Sequence, residues 1–206
     1  MEKELFIEEC LKKNPDIVVQ KYLIDGSCYF FDEIQKNEEF EFKKDLAQSL
    51  KVHIRDIVIV GSGKLGFSIK PDKGITPFFY QFKKFDFDVE NDIEKEKSDL
   101  DVAIVSGSLF DKQLVDIYKH TKSYSSNSYK GGNKKDFAHY ILKGWIRPDF
   151  IPEDYTIALE IDEAQEKYKM KYGRRINIGI YKSWYFFENY HQNNIKNIQI
   201  NLISKM

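Results

Sequence analysis

Three short apolar runs, rich in β-branched residues, constrain this chain more than anything else in it. "IRDIVIV" leads up to Val60, "DVAIVSG" covers 101–107 and "RINIGIY" covers 175–181. Such runs read as buried strands of a mixed α/β sheet. The segments around them carry a different period. "EKELFIEECLKKN" reads as a helix stopped at Asn14-Pro15, and "PDIVVQKYLID" as a second that opens on Pro15 and stops at Gly26. Phe42, Leu46 and Leu50 recur every four residues and so share a helical face. "LFDKQLVDIYKH", "FAHYILKGW" and "PEDYTIALEIDEAQEKYKMKYG" are helical in pattern, the last closed by Gly173. Near the C-terminus Trp184, Phe187, His191, Ile195, Ile198 and Leu202 fall on one helical stripe. No internal repeat or long linker interrupts the series. The expected class is therefore α/β or α+β, with a single domain over 1–206: helical over 1–51, core strands over 52–107, and helices plus the third strand over 108–206.

Composition sets the outer bounds. Hydrophobic residues make up 42% and aromatic residues 15%, enough for a core and incompatible with wholesale disorder. The net charge of −1 with 32% charged residues describes a balanced surface, which argues against a general nucleic-acid coat but leaves room for a local basic patch. Cys10 and Cys28 form neither a zinc spacing nor a disulfide framework, as in a reducing cytosol. "MEKELFIEEC" has acids where a signal peptide has bases, and no run reaches the ~18 apolar residues of a membrane span. The expected setting is cytoplasmic and soluble, with no membrane partner.

Chemistry enters at "IVIVGSGKLGFSIKP" (57–71), where an apolar run breaks at Gly61-Ser62-Gly63. Glycine at the end of a strand costs conformational entropy, so something approaches the backbone closely there. A phosphate and a plain tight turn both meet that description. In "KSDLDVAIVS", Asp99 and Asp101 stand two residues apart at the start of a strand, where i and i+2 project from one face. Adjacent carboxylates repel unless a cation neutralises them, and a hard divalent ion such as Mg²⁺ is the natural partner, taking phosphate oxygens as further ligands. The plain alternative is a strand that opens with solvated aspartates.

A strand, a Gly-Ser corner and a nearby strand opening with Asp-x-Asp together resemble the nucleotidyltransferase superfamily. That superfamily is shared by polymerase-β-like enzymes, poly(A) and tRNA-end-adding enzymes and small bacterial "minimal" nucleotidyltransferases. The matching residues are Gly61 and Ser62 in "VGSGKLGFS" and Asp99 and Asp101 in "SDLDVAIV", so the likeness covers about 52–107. It implies that Gly61 and Ser62 grip a triphosphate and that Asp99 and Asp101 hold the Mg²⁺ that carries an NTP. Two metals would clamp the attacking and leaving oxygens of an in-line displacement. Lys64 adds charge against the phosphates on this reading, or else is an ordinary surface lysine.

Two departures from the family pattern stand out. The stretch 72–97 separates corner and acids, where about a dozen residues are usual; it reads as an insertion on the site rim with aromatic packing of its own. It carries a second Asp-x-Asp, Asp86-Phe87-Asp88, which is set aside because it leads into "VENDIEKEK" and not into a strand. The family also commonly supplies a third carboxylate from a later strand, and "INIGIYKS" offers Asn177, which cannot act as a base. Glu160 and Asp162 fit better as solvated acids on an amphipathic helix.

The resemblance therefore implies a Mg²⁺-dependent transfer of a nucleotidyl group from an NTP to a hydroxyl on RNA, protein or a small molecule, in a setting such as toxin–antitoxin or phage defence. The alternative is a catalytically silent nucleotide-binding or protein-interaction module of the same fold. Other residues carry less. His53, His120, His139 and His191 lack metal spacing, and His191 fits a packed core position. Trp145, Arg147 and Pro148 read as a stiff turn with a packed Trp. The lysines of "SYKGGNKKD" form a basic loop, either solvated or touching a nucleic-acid acceptor.

Overall fold

The structure, a computed structural model, describes residues 3–71, 79–94 and 96–205. In chain order the elements are α1 (Lys3–Lys12), α2 (Pro15–Val18), α3 (Glu39–Leu50), β1 (Ile57–Val60), α4 (Gly61–Leu65), α5 (Phe87–Glu90), β2 (Leu100–Val105), α6 (Gly107–His120), α7 (Lys134–Leu142), β3 (Trp145–Ile146), α8 (Leu159–Tyr172), β4 (Ile176–Tyr181) and α9 (Trp184–Ile203). Two π-helical turns, Val19–Ile24 and Phe30–Ile34, lie between α2 and α3. The four strands form one sheet in the order β1-β2-β4-β3, with β3 antiparallel to β4. The class is α+β. Among the described residues no helix is long and apolar enough to cross a membrane.

The chain packs as two compact units. The first comprises 1–39, 59–101 and 188–206, the second 40–58 and 102–187. The first unit is built on a core that joins Phe6 of α1, Val18 and Leu23 of the second helical segment, Leu65 and Phe67 after the corner, and Ile195 and Ile198 of α9. Pro15 opens α2 as its first residue, where its missing N–H is no loss. The helix then widens, with Asp25 N–H bonding the Gln20 carbonyl five residues back at 2.9 Å. The α9 stripe is confirmed, with Phe187, Ile195 and Ile198 fully buried. Within the 72–97 stretch the Tyr80 and Phe82 rings meet at 6.1 Å, but its packing is shared with the rest of the first unit. Tyr80 and Phe82 join the core of the first unit, and Phe85 meets Tyr29 and Phe30 edge-on at 6.1 and 6.2 Å; residues 72–78 and 95 lie outside the described residues.

In the second unit Phe42, Leu46 and Leu50 all point inward from α3, and Phe42 meets the Tyr168 ring of α8 edge-on at 4.6 Å. Asp45 on the same helix accepts from the Tyr168 hydroxyl at 2.9 Å and pairs with Lys167, which holds its carboxyl below the usual range. Two expectations need correction here. Helix α8 starts at Leu159 and not near Pro152, because Tyr155 and Ile157 turn inward as core residues. Gln113, buried on α6, anchors that turn: its side-chain oxygen accepts from the Tyr155 hydroxyl at 2.7 Å and from the Ala158 N–H at 3.2 Å. The stretch at Trp145 is a strand, not only a turn. Trp145 pairs with Tyr181 and stacks on its ring at 5.1 Å, over Gly179, where a Cβ would stand 2.5 Å from the indole nitrogen.

Gln113→Leu should lower stability by about 2 kcal/mol, since it strands a buried hydroxyl and a backbone donor while keeping the volume. A urea titration reads this as a lower midpoint at unchanged slope.

Candidate functional site

β1 leaves the sheet at Val60 and the chain turns at once. Gly61 has φ +68°, a left-handed conformation that a side chain resists, and α4 begins on it with no side-chain cap. The opposite wall is Asp101. A Cβ placed on Gly61 would lie 3.0 Å from the Asp101 carboxylate oxygen Oδ2. The Gly-Ser corner and the Asp-x-Asp strand thus lie directly against each other, although forty residues of sequence separate them.

The acids alternate with the core in the way a strand requires. Asp99 and Asp101 are half-buried, and Leu100 between them is fully buried. Leu100 is also what Gly63 makes room for, since a Cβ there would come within 2.7 Å of Leu100 Cδ1. The two glycines therefore do different work. Gly61 keeps a face open beside a carboxylate, and Gly63 lets α4 sit on the core.

The back of the corner is tied to the segment 26–29. The Cys28 thiol donates to the Gly63 carbonyl at 3.6 Å, and the Tyr29 ring lies against Gly66, which closes α4 at φ +83°. Lys64 is not a surface lysine. It is buried, and its ammonium donates to the Gly26 carbonyl. Burial pushes the Cys28 and Cys10 thiols up to about 11 and 12, which fits packing residues and not nucleophiles.

A cation that the sequence did not suggest stands at the front. Lys70 is exposed and reaches to 3.8 Å from Asp101 Oδ2. Thirty-one residues separate the two, so no local spacing betrays the contact. The second Asp-x-Asp proves to be a brace. The Asp86 N–H donates to Ser98 Oγ at 3.1 Å, and the Ser98 N–H donates back to Asp86 Oδ1 at 2.8 Å, fixing the residue next to Asp99. Asp88 pairs with Lys83 at 3.0 Å.

Other expected residues belong to the second unit. Glu160 and Asp162 are exposed on α8, and Asn177 is half-buried on β4. Arg147 bonds Tyr140 and Asp149, each at 2.9 Å, and its guanidinium lies over the Trp145 ring, so this group is a packing motif of the second unit. Among the described residues no group of three or more His, Cys, Asp or Glu side chains is placed to hold a metal ion. A divalent cation at Asp99 and Asp101 would therefore rest on two carboxylates and take its remaining ligands from water and phosphate, as Mg²⁺ accepts. Compared with protein-family models, with curated proteins and with solved structures, the chain matches none.

Proposed function

We propose that the chain transfers a nucleotidyl group from an NTP to a hydroxyl acceptor. The supporting observation is the abutment of Gly61 and Asp101, which sets a side-chain-free corner against the Asp-x-Asp strand. In the reaction an acceptor oxygen bonds to the α-phosphorus, the bond from that phosphorus to the bridging oxygen breaks, and pyrophosphate leaves with the electron pair. The acceptor proton passes to solvent or to a carboxylate. Gly61 and Ser62 present backbone and hydroxyl to the phosphates. Asp99 and Asp101 would hold Mg²⁺, which when bound offsets the charge of the phosphate oxygens. Lys70 is placed to exchange its carboxylate partner for a phosphate once the cation occupies Asp101.

Asn177, where related folds offer an acid, favours a second reading: a module that binds nucleotide without turning it over. One experiment separates the two. Each radiolabelled NTP is incubated with Mg²⁺ or Mn²⁺ and total cellular RNA and protein, for wild type, Asp99→Asn and Asn177→Asp. Transfer by wild type and a loss of at least ~100-fold in Asp99→Asn are expected, since ~1.4 kcal/mol corresponds to each tenfold. No label from wild type or Asn177→Asp, with an Mg²⁺–NTP-induced melting shift still present, would leave the silent module. A wild-type melting shift retained by Asp101→Ala would reject the site itself.

A further inference from the structure

Between Tyr118 and Lys143 the chain carries six lysines (Lys119, Lys122, Lys130, Lys134, Lys135 and Lys143) against one acid, Asp136, within a chain of net charge −1. Several lysines elsewhere are paired: Lys12 with Glu8, Lys21 with Glu9, Lys83 with Asp88 and Lys182 with Asp111. Among the described residues none of the six is in an ion pair. All but Lys134 are exposed. The single acid is already engaged, its Oδ2 accepting from the Asn133 N–H at 3.2 Å in the capping box that opens α7.

The scaffold beneath these charges is pinned. Lys122, Ser123 and Tyr124 are consecutive left-handed residues at φ 48°, 62° and 59°, a conformation with a steric cost for each side chain. Thr121 Oγ1 holds them, donating to the Ile117 carbonyl at 2.7 Å and accepting from the Tyr124 N–H at 3.0 Å. Farther along, the Lys130 N–H bonds the Ile151 carbonyl at 2.9 Å. Lys134 and Lys135 sit in the first turn of α7, where the helix dipole disfavours positive charge. The capping box already engages the Lys135 and Asp136 amides there. The fold brings one further acid to this stretch, Glu153, which accepts from the Ser128 hydroxyl; the lysines still in excess cost stability, and a polyanion relieves that cost.

We propose that this stretch of the second unit binds single-stranded nucleic acid, its lysines on the phosphates and the Tyr118 ring against a base. Tyr118 is 47% exposed and braced edge-on by Tyr124 at 5.3 Å, and base stacking of this kind needs unpaired strands. An anionic membrane fits less well, because Leu142 is the sole exposed large aliphatic residue described in the stretch. As the acceptor in the reaction proposed above, the strand would deepen that reading. Binding is measured without catalysis, so the two can fail separately.

The test is fluorescence anisotropy of a labelled oligo(U) RNA of about 20 nucleotides on the full chain, between about 50 and 200 mM salt. Wild type should bind with log affinity falling against log salt at a slope of about −2 to −4, each single-strand phosphate contact giving about −0.7. Lys130→Glu/Lys134→Glu/Lys135→Glu should weaken binding at least ~30-fold and flatten the slope by about 2. Tyr118→Ala should lose about 5- to 10-fold at unchanged slope. If the triple variant fails to fold, Lys119→Glu/Lys122→Glu should weaken binding at least ~10-fold and flatten the slope by about 1.4. Absence of RNA binding, binding indifferent to both lysine sets, or binding to phosphatidylserine vesicles alone would each overturn the proposal.

Discussion

Gly61→Val is expected to abolish Mg²⁺–NTP binding and to destabilise the fold by about 3 kcal/mol, because a β-branched residue is a poor occupant of left-handed backbone. The added Cβ would also press on Asp101 Oδ2, 3.0 Å from where it must go. Gly63→Ala is the informative companion. Its Cβ meets Leu100 in the core, so it should lower the melting temperature without a φ penalty, and what nucleotide binding remains should keep wild-type strength. Calorimetric titration of Mg²⁺–ATP at a temperature where both variants are folded separates the effects. Equal loss of binding in both would reduce the corner to an ordinary turn.

Acid should weaken the fold through His191. This residue is buried on α9, and burial pushes its imidazole down to about 4 from an ordinary value of 6.5. The folded state therefore resists a proton that the unfolded chain accepts. The contribution to stability is fully present above pH 6.5 and falls as pH drops from there, amounting to about 3 kcal/mol by pH 4. Asp45, whose carboxyl lies below the usual range, loses its contribution only at lower pH, so the two windows are distinct. Melting curves of wild type and His191→Gln at pH 7 and pH 4 give the test. Wild type should lose about 3 kcal/mol more than the variant between them; parallel losses would show that the ring takes its proton in the folded state.

What the sequence announced was whatever rests on local pattern. The runs ending at Val60, Val105 and Tyr181 are strands because β-branched residues in short buried stretches have little else to do. The α9 stripe was equally plain, since its residues recur at spacings of three and four along a 20-residue helix. β3 was hidden because it has two residues between Gly144 and Pro148, too few for a period. The late start of α8 was hidden because Gln113 captures Ala158 across forty-five residues, and that contact overrides a helical pattern. At the candidate site, the Gly61-Ser62 corner and the Asp99–Asp101 pair stood out as local patterns and the family resemblance implied their roles; the structure puts Gly61 beside Asp101. Lys64 misled because charge suggests surface, whereas its ammonium has a carbonyl waiting inside. Lys70 and the Asp86–Ser98 brace depend on a return of the chain that no local pattern encodes.

The thiol of Cys28 gives the corner a clock of its own. Buried, protonated and bonded to the Gly63 carbonyl, it can react with an alkylating reagent only when the wall behind Gly61–Leu65 lifts away. Its alkylation rate relative to that of an unfolded peptide then reports the free energy of that local opening, tenfold for every ~1.4 kcal/mol. Cys10, on α1 in the same unit, keeps time for a different opening. A ligand seated on the corner would slow the first clock and leave the second running, which locates the contact without a label and without a single substitution.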